Sequence, residues 1–186
     1  MTLEELETLL DSCKNGNRLS QKRLYQQFFS LGMSVSMRYA HNREEAEEMC
    51  QDGFVKAFSK IKDCVGVSSF KGWLRQIFVR SAIDYYRKYC KSQPILDGLE
   101  QAEGVFTESA TALDNISIDE KLRLVQALPP ACRIAFNLYA VEGFTTTEIA
   151  ESLHIAEGTV RSNLAKARLK LQVMIQTAEK INATAI

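Results

Sequence analysis

Proline is scarce in this chain, with three among 186 residues, and glycine is held to nine. So few turn formers, and few runs of β-branched residues, exclude an architecture of many short strands and predict an all-α protein. No apolar run approaches the roughly 18 residues that a membrane span requires. The opening "MTLEELETLL" is acidic and helical in character, so no signal peptide is expected. The five cysteines (Cys13, Cys50, Cys64, Cys90 and Cys132) are odd in number, widely spread and free of any CxxC pair. That excludes a disulfide framework or structural zinc site, predicts small buried apolar residues, and fits a reducing cytoplasm. Histidine occurs only at His41 and His154, in no triad or metal-ligand spacing. The carboxylates Glu44, Glu45, Glu47 and Glu48 read as a solvated helix start. No enzyme activity, metal, cofactor or small-molecule substrate is expected.

Net charge is absent too: 23 basic residues balance 23 acidic ones. This argues against sequence-blind wrapping of nucleic acid, but the charge is strongly localised. Residues 71–91 carry six basic side chains against Asp84 alone, while residues 94–120 carry seven acids and no Lys or Arg. Two helical lobes with basic faces, joined by an acidic linker, are the organisation this predicts. The boundaries are drawn at 1–92, 93–117 and 118–186.

Helical periodicity runs through the first lobe. Leu6, Leu9 and Leu10 are spaced on one face, Leu24, Tyr25, Phe28 and Phe29 on another, with a break at Asn15-Gly16-Asn17. A further pattern starts after Gly32 and runs to Tyr39. Asn42 is a natural N-cap for the helix that follows, with acids crowding its first turn where the dipole favours them. "KDCVGVSSF" reads as a loop. The segment after it is strongly periodic, with Trp73, Ile77, Ile83 and Tyr86 as expected core. Residues 93–117 lose the pattern and read as an interdomain linker that still carries apolar side chains for docking.

Four helical segments follow, at 118–128, 131–142, 146–153 and 157–180. In "TTTEIAESLHIAEGTVRSNL" the apolar residues Ile149, Leu153, Ile155, Val160 and Leu164 let a short helix cross a longer one through a tight turn at His154-Ile155-Ala156. That is a helix-turn-helix. The second helix then offers Glu157, Thr159, Arg161, Ser162, Ala165 and Lys166 to a major groove.

Two runs together carry a family resemblance: "RYAHNREEAEEMCQDGFVKAFSKI…SSFKGWLRQIFVRSAIDYYRK" and "ALPPACRIAFNLYAVEGFTTTEIAESLHIAEGTVRSNLAKARLKL". In this order the chain resembles a bacterial RNA polymerase sigma factor of the extracytoplasmic-function group. The resemblance implies that Asp52, Val55, Lys56 and Phe58 dock on the clamp coiled coil of the polymerase largest subunit. It implies that Lys62, Ser68, Lys71, Arg75, Arg80, Arg87 and Lys88 open the promoter at the −10 element. Thr159, Arg161, Ser162 and Lys166 would meet the −35 element, and the acidic linker would thread toward the RNA exit path. Three departures from the family pattern occur in the last lobe: Ala156 at the N-cap, His154 in place of a turn glycine, and Asn163 with Ala165 where long basic and aromatic residues are common. In the first lobe Phe78-Val79-Arg80 departs as well. The partners implied are core RNA polymerase, double-stranded and melted promoter DNA, and an anti-sigma factor that is membrane-anchored in the family's usual form. A conventional helix-turn-helix regulator, with a helical N-terminal sensor or dimerisation lobe, is the alternative.

Overall fold

In this computed structural model, residues 1–90 and 117–184 are described, so the acidic linker lies almost wholly outside the described residues. They form two compact units, Met1–Tyr85 and Tyr86–Ile186, and every described element is helical.

In the first unit, α1 (Leu3–Lys14) opens on a capping box: Thr2 accepts from the Glu5 N–H while the Glu5 side chain accepts from the Thr2 N–H. It ends at Asn15-Gly16, where Gly16 takes a φ of 80° that suits a residue without a Cβ. Asn17 caps α2 (Arg18–Tyr39), and Asn42 caps α3 (Arg43–Ser59) through the Glu45 N–H at 2.8 Å. After a short 3₁₀ turn at Ile61–Asp63 and a loop, α4 occupies Phe70–Tyr85 and continues into one wider π turn, Tyr86–Cys90.

The expected break at Gly32 does not occur, because α2 runs straight through it. Glycine in a helix interior costs about 1 kcal/mol against alanine, and here packing requires it. A Cβ on Gly32 would lie 2.7 Å from Phe78 Cζ and 2.8 Å from Cys50 Sγ, and one on Gly53 would lie 2.3 Å from Phe78 Cδ1. Two helices therefore give up side chains to form a slot for one ring. Phe78 is fully buried there, edge-on to Phe54 at 5.1 Å, while Phe28 meets Phe70 in the same manner at 5.1 Å.

The core of α4 centres on Phe70, Leu74 and Phe78. Trp73, expected inside, is only half-buried against Phe70, whereas Ile77, Ile83 and Tyr86 are buried as expected. Four of the five cysteines are buried and all five are free. Burial, with Glu47 nearby, pushes the Cys50 thiol up to about 11, which keeps it protonated and inert at neutral pH.

The second unit contains α5 (Ile118–Gln126), α6 (Pro130–Ala140), α7 (Thr146–Leu153) and α8 (Glu157–Thr184). Pro130 opens α6, where its missing N–H has no intrahelical partner to lose. One buried charge was not foreseen from the sequence. Arg133 is sealed inside the unit and donates from Nε and Nη2 to the Leu128 carbonyl at 3.3 and 3.0 Å, closing the chain after α5. Leu128, Cys132 and Ala167 form the core beneath it, with Phe136, Leu171 and Met174 around them.

Candidate nucleic-acid interface

The helix-turn-helix is built from local signals. Thr145 caps α7 in a second capping box with Glu148. The helix ends at His154, the one described residue other than glycine with positive φ (53°), in the left-handed conformation that histidine tolerates better than branched residues. Ile149, Leu153, Val160 and Leu164 are buried where the two helices meet, and Ala150 is the small residue at their close approach. Ile155 is only half-buried.

The opposite face of α8 looks outward. Thr159, Arg161 and Ser162 are exposed, and Ala165 and Lys166 are half-exposed. Asn163, one of the departures from the family pattern, does not share that outward face. It is 3% exposed and sits on the buried side with Val160, Leu164 and Ala167. The Thr159 backbone N–H already donates to the Ala156 carbonyl at 3.0 Å, so any phosphate contact by this residue falls to its hydroxyl. Arg168 leans over the Tyr139 ring, 5.8 Å from its centroid.

Two of the outward side chains are tied together. The Arg161 Nη2 donates to Glu157 Oε1 at 2.7 Å, and the Thr146 hydroxyl donates to the same oxygen at 2.7 Å. The Thr146 hydroxyl first, then Arg161, holds the Glu157 carboxyl below the usual carboxylate range.

In the first unit, Lys62, Ser68, Lys71 and Arg80 stand in solvent and Arg75 is half-buried; at the start of the second unit Arg87 is half-buried and Lys88 is exposed. The Arg87 guanidinium donates to the Ser152 carbonyl, and Lys88 lies 4.6 Å from the Tyr89 ring centroid. At about 100° per residue, Lys71 and Arg75 fall about 40° apart, whereas Arg80 stands about 140° round from Arg75. The cations of α4 thus form two ridges rather than one strip.

On α3, Asp52 is exposed, Val55 is 69% exposed despite being apolar, and Phe58 is half-buried. Its neighbour Phe54 is core, stacked at 6.1 Å on Phe58. Lys56 is not a free cation: its Nζ pairs with Asp84 Oδ2 of α4 at 2.7 Å. Sequence spacing alone could not reveal that partner, 28 residues away. Among the described residues there is no group of three metal-ligating side chains, and no helix long and apolar enough to cross a membrane.

Residues 24–91 match the family described as Sigma-70 region 2, and residues 119–171 match Sigma-70, region 4. The RNA polymerase sigma-H factor of Pseudomonas aeruginosa is 27% identical over 188 residues, spanning 95% of this chain and 96% of that protein. The ECF RNA polymerase sigma-E factor of Escherichia coli K12 is 26% identical over 181 residues, spanning 91% and 94%. Among solved structures, the sigma factor RpoE in complex with the anti-sigma factor NepR from Bartonella quintana is 22% identical. That match covers 83% of this chain and 96% of that one, with a TM-score of 0.49.

Proposed function

Since this chain belongs to the sigma-70 family, as an extracytoplasmic-function sigma factor that directs promoter-specific initiation by core RNA polymerase, we propose how its residues divide that work. The segment 1–92 carries polymerase docking and −10 melting, 93–117 is the acidic linker, and 118–186 reads the −35 element. Asp52, Val55, Lys56 and Phe58 meet the polymerase clamp. An apolar side chain as exposed as Val55, between charged neighbours, suits a surface that is covered in the holoenzyme.

Melting requires an unstacked base to be captured while cations hold the displaced backbone. Lys62 of the 3₁₀ turn and Ser68 of the loop after it, with Lys71, Arg75, Arg80, Arg87 and Lys88, supply those contacts. At the −35 element Arg161 reaches a base edge, and Lys166, with the hydroxyls of Thr159 and Ser162, meets phosphate. The acidic linker mimics nucleic acid within a basic channel. The protein acts in the cytoplasm, without catalytic chemistry of its own, and is silenced by an anti-sigma factor, membrane-anchored in the usual form, that holds its lobes away from polymerase.

The observation that carries this reading is the presence, in one chain, of an exposed apolar side chain, Val55, on α3 and a helix-turn-helix of α7 and α8 whose second helix keeps one face in solvent. Run-off transcription with purified core polymerase on genomic fragments tests it. Promoter-specific transcripts that depend on this protein are expected. Tight promoter binding without polymerase, and no transcripts with it, would favour the conventional regulator instead.

A further inference from the structure

An exposed Glu–Arg pair one helical turn apart adds little to the stability of its helix. The Glu157–Arg161 pair differs from that ordinary case in one respect. The accepting oxygen is also held by the Thr146 hydroxyl, from the first turn of the preceding helix, at 2.7 Å. Glu157 is therefore fixed to the body of the helix-turn-helix, and its carboxylate fixes the Arg161 guanidinium in turn at 2.7 Å.

An unrestrained arginine on a DNA-facing helix has two classes of partner. Phosphate oxygens take it in many orientations and carry no sequence information. A guanine edge takes it bidentately, in one plane. A fixed carboxylate beside the guanidinium repels phosphate, and it limits the orientations the planar fork must lose on binding a base. We propose that Glu157, buttressed by Thr146, is a specificity-determining positioning residue of −35 recognition. It trades sequence-blind affinity for base selectivity at Arg161. This rests on the reading that Arg161 faces a base edge in the promoter.

The test is binding of reconstituted holoenzyme to a promoter library randomised across the −35 element, with a fixed −10 element. The proteins are wild type, Arg161→Ala, Glu157→Ala, Thr146→Val, Thr146→Ser and the double variant Glu157→Ala/Arg161→Ala. A merely structural loss of folded protein scales every sequence alike, so the preference profile isolates positioning. Glu157→Ala is expected to flatten the profile at the same positions as Arg161→Ala, with roughly tenfold discrimination at stake. Averaged over the library, its binding should be unchanged or tighter. Thr146→Val should shift the profile the same way to a smaller extent, Thr146→Ser should keep the wild-type profile, and the double variant should match Arg161→Ala alone. If Arg161→Ala alters the profile and Glu157→Ala does not, the positioning role is overturned while base reading stands. If Glu157→Ala alters different positions and adds to Arg161→Ala, Glu157 reads a base itself and the positioning role is again overturned. If Arg161→Ala leaves the profile unchanged, the base-reading assignment fails and this proposal falls with it.

Discussion

Phe78 shows how a single side chain can govern its surroundings. The ring occupies a slot that exists because Gly32 and Gly53 lack side chains, and an added Cβ at Gly53 would come within 2.3 Å of Cδ1 and 2.7 Å of Cε1. Helix propensity alone favours Gly53→Ala by about 1 kcal/mol. Overpacking a rigid core costs about 1–3 kcal/mol, and it dominates because a fully buried ring has nowhere to move. Gly53→Ala should therefore lower the urea midpoint, while Gly53→Ala/Phe78→Leu should recover part of the loss. A midpoint at or above wild type for the single variant would mean the slot is slack. The same ring accounts for the Phe78-Val79-Arg80 departure: Phe78 serves the core, and only Arg80 of the three is exposed.

Among the elements, α3 must fold against its neighbours and, in the proposed division of work, also present a surface to polymerase, and its residues divide between the tasks. Ala46, Met49, Cys50, Phe54 and Ala57 face inward; Asp52 and Val55 face out. Lys56 does neither alone, since its bond to Asp84 joins α3 to α4. Reversing the charge at Lys56 would set two carboxylates against each other and confuse docking with packing. Asp52→Arg/Val55→Asp avoids that, because both side chains are exposed. We expect it to abolish co-elution with core polymerase on gel filtration while shifting the melting temperature by no more than a degree or two. Intact co-elution would remove α3 from the docking surface. For α4, cations on two sides explain why a basic helix need not behave as one strip: Lys71 with Arg75 on one side and Arg80 on the other can meet different stretches of a displaced strand.

At the scale of the whole molecule, a formal charge of zero means that affinity for DNA cannot come from bulk electrostatics. It must come from a few placed cations and from polymerase as a tether. Lys166, half-exposed on the outward face of α8, is the cation proposed for this task. Lys166→Ala should weaken holoenzyme binding evenly across −35 sequences and reduce the slope of log affinity against log salt by about one unit. A change in base preference with an unchanged slope would instead make Lys166 a reader. Without polymerase the chain alone should bind the same promoter weakly, since each lobe then pays its own association cost.

Much of this molecule is decided locally, and that part was legible in the sequence. Asn42 reads as a cap, and Asn17, Thr145 and Ser117 obey the same local rule in the structure, a side-chain oxygen replacing a missing backbone acceptor within three residues. The 3.6-residue period fixes which side of α8 is apolar, and so places Arg161, Ser162 and Lys166 outward before any neighbour is known. His154 marks the turn for the same local reason. What the period could not supply was meaning for residues whose partners lie far along the chain. Gly32 reads as a break until Phe78 arrives from α4 to fill its place. Lys56 reads as a free docking cation until Asp84 takes it, and nothing in the spacing marks Arg133 for burial under the Leu128 carbonyl. Glu157 reads as one more side chain offered to the groove until α7 sets the Thr146 hydroxyl against it. In each case the sequence set the chemistry of the side chain, and only the packing of helices decided which group that chemistry would meet.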